Sequence, residues 1–224
     1  MRTHFWRLVS SLLLLAGCSR PPPTPTPDQM LNQAAQAVLA MKSAQFVVTR
    51  EGAPAVLDPQ TGTTFAEAAG QYQAPDRVSA KVKVTLFGSV VEVEMRWLPE
   101  GNFISNPLTG QFEAAPAGAA FDGAALFKEG GIPALLKDNL QNPKLVGEEK
   151  VEDVETYHLS GEADGEELSA LTAGALASGT MYPVDVWIEK ATSNLVRVHI
   201  AEPGGDGWLI DLFDVNQPVE IKAP

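Results

Sequence analysis

The stretch Arg77–Trp97, RVSAKVKVTLFGSVVEVEMRW, sets Val78, Ala80, Val82, Val84 and Leu86 at every second position and, after Gly88, does the same with Val91, Val93, Met95 and Trp97. Successive side chains of a strand point to opposite faces, so a period of two over two such runs reads as two strands with one apolar face each. The intervening positions carry Arg77, Ser79, Lys81, Lys83 and Thr85, then Glu92, Glu94 and Arg96, which belong in water. Phe87, Gly88 and Ser89 between the runs predict a tight hairpin. The sheet is therefore antiparallel, with one face covered and one wet.

The same period extends in both directions. Phe46 and Val48 mark a strand upstream. Downstream, strands are expected around Leu145–Glu149 and Thr156–Gly161, the latter with Tyr157 and Leu159 on one face. A three-stranded meander follows, on Val184, Val186 and Ile188, then Val196, Val198 and Ile200, then Trp208, Ile210 and Leu212. Its turns are Thr192–Asn194 and Pro203–Gly207. Helical spacing appears where the alternation stops. Asp28 is placed to cap a helix bearing Leu31, Ala34, Ala35, Val38 and Met41, and Asp122 to cap a short one with Ala125 and Leu126. Pro133 opens another with Leu135, Leu136 and Leu140, and Asp164 with Glu167 forms a capping-box-like pair ahead of Leu168, Leu171 and Ala175. Eight or nine strands and three or four helices make an α+β chain: a single antiparallel sheet with helices over one face.

At the amino terminus Arg2 and Arg7 precede an apolar run, Leu8–Leu15, that ends at Ala16, Gly17 and Cys18. This is a tripartite export signal over residues 1–17, too short for a transmembrane helix of about 20 residues. The string Leu15-Ala16-Gly17-Cys18 resembles the lipobox of bacterial lipoproteins, in which the cysteine receives a diacylglyceryl thioether and the chain is cut just before it. Cys18 is then the lipid attachment site. Two acyl chains hold durably because each buried methylene contributes about 0.8 kcal/mol. Residues 18–27 are the lipidated cysteine and a proline-rich spacer, which spans roughly 25 Å at about 3 Å per residue. Residues 28–224 form one domain. The expected location is outside the cytoplasm, anchored in the cell membrane or the outer membrane and facing the periplasm or exterior.

Cys18 is the only cysteine, so the domain forms no internal disulfide and stands on its apolar core. Cutting before it leaves 14 Lys and Arg against 28 Asp and Glu, a net charge of −14. Nucleic acid is disfavoured as a partner, since a polyphosphate needs a basic surface. No nucleophile elbow, zinc-protease helix, phosphate-binding glycine loop or calcium loop is present, and no cofactor or metal is expected. His158 and His199 fall on the polar side of their strands. The acidic run Glu148, Glu149, Glu152, Asp153 and Glu155 reads as a solvated hairpin. Nothing assembles a catalytic centre, and an enzyme is not expected.

Four stretches carry a family resemblance: LNQAAQAVLAMKSAQFVV, VSAKVKVTLFGSVVEVEMRWLPEGNFI, LKDNLQNPKLVGEEKVEDVETYHLSGEA and YPVDVWIEKATSNLVRVHIAEP. From about Leu31 to the carboxy terminus the chain resembles the LppX/LprAFG lipoproteins, best known from mycobacteria. The resemblance implies a half-barrel, one curved antiparallel sheet with helices over its concave face, similar to the LolA and LolB carriers. It also implies an apolar cavity between sheet and helices that holds the two or three acyl chains of a lipid or glycolipid, and work alongside a membrane lipid transporter. Carried onto this chain, the cavity lining comprises Val82, Val84, Leu86, Val91, Val93, Met95, Leu126, Leu135, Leu136, Leu140, Leu168, Leu171, Val186 and Val198. Read from the residues alone, the same side chains are also good core. The alternative function is an envelope scaffold or sensor lipoprotein that binds another protein and carries no lipid.

Overall fold

The computed structural model describes residues 24–86, 88–115 and 122–224, with the backbone alone at Leu86. The export signal, Cys18, most of the spacer, the side chain of Leu86 and Phe87 lie outside the described residues.

Twelve strands form one sheet: β1 Ser43–Glu51, β2 Ala55–Asp58, β3 Thr63–Gln73, β4 Arg77–Leu86, β5 Ser89–Leu98, β6 Gly101–Ser105, β7 Phe112–Ala114, β8 Gln141–Val151, β9 Val154–Asp164, β10 Met181–Glu189, β11 Leu195–Ala201 and β12 Gly207–Phe213. Every pairing is antiparallel, in the order β7-β6-β5-β4-β3-β1-β12-β11-β10-β9-β8, and the sheet is open because β7 and β8 do not meet. The short β2 pairs with the start of β3 and so prolongs the line of β1 beyond a break at Gly52. Gly52 has φ +79, and a Cβ there would lie 2.0 Å from an Asp206 carboxylate oxygen. Only glycine fits that crossing.

The hairpin that decides the fold forms in the expected register. Val78 faces Trp97, Ala80 faces Met95, Val82 faces Val93 and Val84 faces Val91, with Leu86 opposite Ser89 as the last pair. The meander β10-β11-β12 also forms, with one change. A bulge in β11, opposite Trp187 and Ile188, shifts the register so that Leu195, not Val196, points inward with Val198 and Ile200. The strand count exceeds eight or nine chiefly because β3 and the β6-β7 hairpin were not read from the pattern.

Helix α1, Pro27–Ala40, starts two residues earlier than a cap at Asp28 predicts. Thr26 is the cap, its hydroxyl accepting from the Gln29 amide at 3.3 Å while the Gln29 side chain accepts from the Thr26 amide at 2.9 Å. Asp28 instead sits in the first turn, where a carboxylate favours the helix dipole. The middle region coils as expected but in small pieces. Asp122 caps a 3-10 turn, Gly123–Phe127, by accepting from the Ala124 amide at 3.0 Å. Then α2, Ile132–Ala134, runs into a π turn, Leu135–Asn139. Helix α3 is a single turn, Ser169–Thr172; Asp164 and Glu167 do not cap it, since Asp164 accepts from the Glu166 and Gly179 amides and Glu167 meets Asn139. Ala175 is consequently exposed rather than helical and buried.

Candidate functional site: the inner and outer faces of the sheet

The apolar residues of the strands and helices gather into one cluster on the inner face of the sheet. Helix α1 contributes Met30, Leu31, Ala34, Ala35 and Val38, packing against β8 and β11. The π turn packs on β9, and the 3-10 turn on β4. Aromatic rings tie the layers together: Phe127 of the 3-10 turn stacks on Tyr72 at 4.1 Å and meets Phe46 edge-on at 5.6 Å, and Phe65 stacks on Trp208 at 5.4 Å. Burial raises the Tyr72 hydroxyl above its ordinary pKa, with the Asp76 charge adding to the effect.

Of the side chains expected to line a cavity, Val82, Val84, Val93, Leu126, Leu135, Leu136, Leu140, Leu168, Leu171, Val186 and Val198 are all buried within this cluster. Val91 and Met95 are half-buried and pack against its edge. The fold therefore brings the described members of the set into one apolar body. Five surface concavities on the described residues have linings that include none of these side chains.

Three polar side chains are buried with this body, Ser43, Thr156 and Thr172. Each hydroxyl donates to a backbone carbonyl: Ser43 to Gln217, Thr156 to Glu149 at 2.8 Å and Thr172 to Leu168 at 3.0 Å. No buried side-chain polar atom among the described residues lacks a partner. Apart from Arg50 and its carboxylate partners at one end, the interior is apolar.

Two clusters of ionisable groups flank the apolar body: one at an end of the inner face, where Arg50 lies over the Trp208 ring at 5.4 Å, and one on the outer face around His158. Arg50 is nearly enclosed, with 6% of its side chain exposed; it meets Glu202 at 2.5 Å and Asp206 at 3.3 Å and donates to the carbonyls of Ala53 and Gly207. It pins the β1-β2 break to the β11-β12 turn. His158, expected on the polar side of its strand, is there but is 18% exposed rather than free in solvent. Its ring stacks on Trp187 at 4.4 Å, with Nε2 2.8 Å from Asp185 and Nδ1 3.0 Å from Glu149. His199 meets Glu51 at 3.1 Å. Among the described residues no three or more His, Cys, Asp or Glu converge as metal ligands would.

A feature missed in the sequence lies on the outer face. A groove of about 600 Å³ is bounded by the β8-β9 turn, the β10-β11 turn and the end of β12, with Val47, Val196, Phe213 and Val215 on its floor and sides. A second concavity of about 340 Å³ shares Val47 and Phe213 with it and continues over β3, β4 and β5 past Gln71, Lys81 and Glu94. The signal was present in the strands: Phe46-Val47-Val48, Leu195-Val196 and Leu212-Phe213 each interrupt the alternation with an extra apolar residue.

Comparison with known proteins gives this arrangement its relatives. The curated protein named "Putative diacylated glycolipid transporter LprF", from Mycobacterium bovis and from Mycobacterium tuberculosis, is 23% identical over 94% of this chain and 86% of its own length. The crystal structure of LprF from Mycobacterium bovis superposes with a TM-score of 0.72 at 20% identity, covering 90% of this chain and 98% of that one. That of Mycobacterium tuberculosis lipoprotein LppX gives 0.62 at 19% identity, covering 88% and 98%. These similarities show a shared fold. The model of the LppX_LprAFG lipoprotein family matches residues 26–221, nearly all of the described domain, and the chain belongs to that family of exported, lipid-anchored proteins.

Proposed function

We propose that this lipoprotein binds the acyl chains of a lipid or glycolipid between the inner face of its sheet and the helices, and carries or presents that lipid within the cell envelope. The observation that carries the reading is the chemistry of the interior. Acyl chains ask only for apolar area, contributing about 25 cal/mol per Å² removed from water. Displacing packed side chains by a ligand strands no polar group here, because the three buried hydroxyls are held by backbone carbonyls. Beside helix α1, the cover over the inner face is made of short pieces, a 3-10 turn, one turn of α-helix and a π turn, with few internal hydrogen bonds to break on opening. The name of the LprF relative points to a diacylated glycolipid as cargo class.

Entry is at the β4-β5 arm. There Val84, Val91 and Met95 are covered less completely than the inner residues of β9–β12, so opening costs least. Cys18, acylated, holds the domain to a membrane, and the spacer of roughly 25 Å keeps the entrance within reach of the lipid it takes up. A membrane lipid transporter supplies or receives the cargo.

Mass spectrometry of an organic extract tests this, using the chain from residue 18 onward with Cys18→Ser so that no lipid is covalently bound. About one lipid with two or three acyl chains per protein is expected. A lipid-free extract, together with no uptake of a fluorescent fatty acid by the purified protein, overturns the reading. The second reading, an envelope scaffold or sensor, is favoured by one observation: the outer face carries an open groove of about 600 Å³.

A further inference from the structure

The outer face of the sheet is treated differently along its width. Over β3, β4 and β5 it is laced with Lys83–Glu67, Lys81–Glu92 and Arg96–Glu94 pairs. The carboxy-terminal tail also straps it: Arg77 and Arg96 donate to the carbonyls of Ile221 and Lys222, the Ile221 amide donates to Gln73, and Ile221 is buried beneath. Over β1, β12 and β11 the tail has just begun, and Val47, Val196, Phe213 and Val215 lie along an open groove. Phe213 is 42% exposed.

The edges of this groove carry charge of one sign. Glu152, Glu189, Asp211 and Asp214 line it, against the single cation Arg197, which Asp211 already engages at 2.5 Å. Glu152, Glu189 and Asp214 have no cationic partner among the described residues: Glu189 accepts from Thr192 and Asn194, and Asp214 from Gln45. A second copy of this chain, which is itself strongly acidic, would bring like charge against like. An anionic membrane surface would do the same.

The two outer concavities join at Val47 and Phe213 into one trough crossing six neighbouring strands, from β11 to β5. At about 4.8 Å between strands the trough is about 24 Å long. An α-helix of about 16 residues matches that length at 1.5 Å per residue.

We propose that this trough is a docking site for an amphipathic helix of another envelope protein, apolar on the face it lays on Val47, Val196 and Phe213 and basic at the end that meets Glu152, Glu189 and Asp214. The site is on the opposite face from the lipid-holding interior. Its occupancy is independent of whether lipid is bound, so a lipid-free extract leaves the proposal standing and a failed docking test leaves the lipid reading standing.

The probe is a fluorescent helical peptide of about 16 residues, leucine on one face and lysine on the other, titrated with the chain from residue 18 onward carrying Cys18→Ser. Its twin has glutamate for lysine. Val47→Lys and Phe213→Lys place a cation on the trough floor, and Val90→Lys, at an outer position remote from the trough and 74% exposed, makes the same change elsewhere. The lysine peptide is expected to bind, with either trough variant weakening it at least about tenfold and Val90→Lys leaving it within about twofold, as for residues at and away from a binding centre. The glutamate twin is expected not to bind. Equal weakening by Val90→Lys and the trough variants, unchanged binding in the trough variants, or no binding to the unsubstituted chain overturns the proposal. Circular dichroism melts of each variant establish that the comparison is between folded proteins.

Discussion

The two halves of the sheet are built from the same alternating pattern and end in different states. In β9–β12 the inward residues Leu159, Val184, Val186, Leu195, Val198, Ile200 and Ile210 are completely buried, because α1 and the π turn lie over them. In the β4-β5 arm Val84 retains 9% exposure, and Val91, Met95 and Ile104 are only partly covered, because the 3-10 turn alone reaches β4. Outside, the relation reverses: the β3–β5 half carries ion pairs and the tail beside a smaller concavity, while the β1–β12–β11 half has the wider groove. Each half is more fully covered on one face than on the other, so an alternating strand pattern specifies which residues share a face and leaves open what covers it.

The sharpest way to break that comparison is by core truncation. Leu159→Ala in the closed half is expected to lower stability by about 3 kcal/mol, and Val91→Ala in the arm by under about 1 kcal/mol, since the loss scales with the cavity left behind. Denaturant titration reads both; equal losses would mean the arm is as tightly packed as the rest. Next comes Arg50→Met, which strands Glu202 and Asp206 beside a buried gap. Because both carboxylates keep some solvent contact, the expected loss is about 2 kcal/mol, below the range for fully buried pairs.

A binding experiment sharpens the inner side of the comparison. Val91→Trp fills the lightly covered end of the arm, and uptake of a fluorescent fatty acid is expected to fall about tenfold with the denaturation midpoint nearly unchanged. Val47→Trp, on the outer face, is expected to leave uptake as it was. The smallest effect is electrostatic. A hydrogen bond from Arg77 holds the Glu100 carboxyl below its ordinary value of 4.5. A depressed carboxylate stabilises the fold above its unfolded pKa and loses that contribution as the pH falls through the folded value. Thermal melts of the unsubstituted chain and Glu100→Gln should therefore converge on acidification from about pH 6 to about pH 3.

Much of the fold was legible where side chains differ strongly between faces. The β4-β5 hairpin, the helix Pro27–Ala40, the Asp122 cap and the carboxy-terminal meander all follow from valines, isoleucines and leucines set against charged neighbours. Strand β3, TTFAEAAGQYQ, was not legible, because its inward residues between Phe65 and Tyr72 are Ala68 and Gly70 and a bulge between Phe65 and Glu67 breaks the period. The reason for the small residues is tertiary: a Cβ on Gly70 would lie 2.4 Å from the Ser79 carbonyl oxygen of β4. Val196 was assigned inward for a related reason, since it is the extra residue of a bulge in β11, which is a property of the pairing with β10 and not of either strand alone.

The family and its apolar inner face were also within reach of the sequence, and the described members of the expected lining do converge. Whether they surround a void or fill it was not, because packing depends on where the short helices come to rest. The outer groove was beyond sequence reading as well: Val47, Val196 and Phe213 are far apart in the chain and meet only through the order β1-β12-β11. The sequence by itself determined the alternation, hence an antiparallel sheet with one apolar face, the cap at Asp122, and the acidic balance, since these depend on neighbours in the chain. Tertiary structure alone decided which half each helix covers, the close crossing at Gly52 and Arg50, and the trough, since these depend on distances between strands that no local pattern encodes.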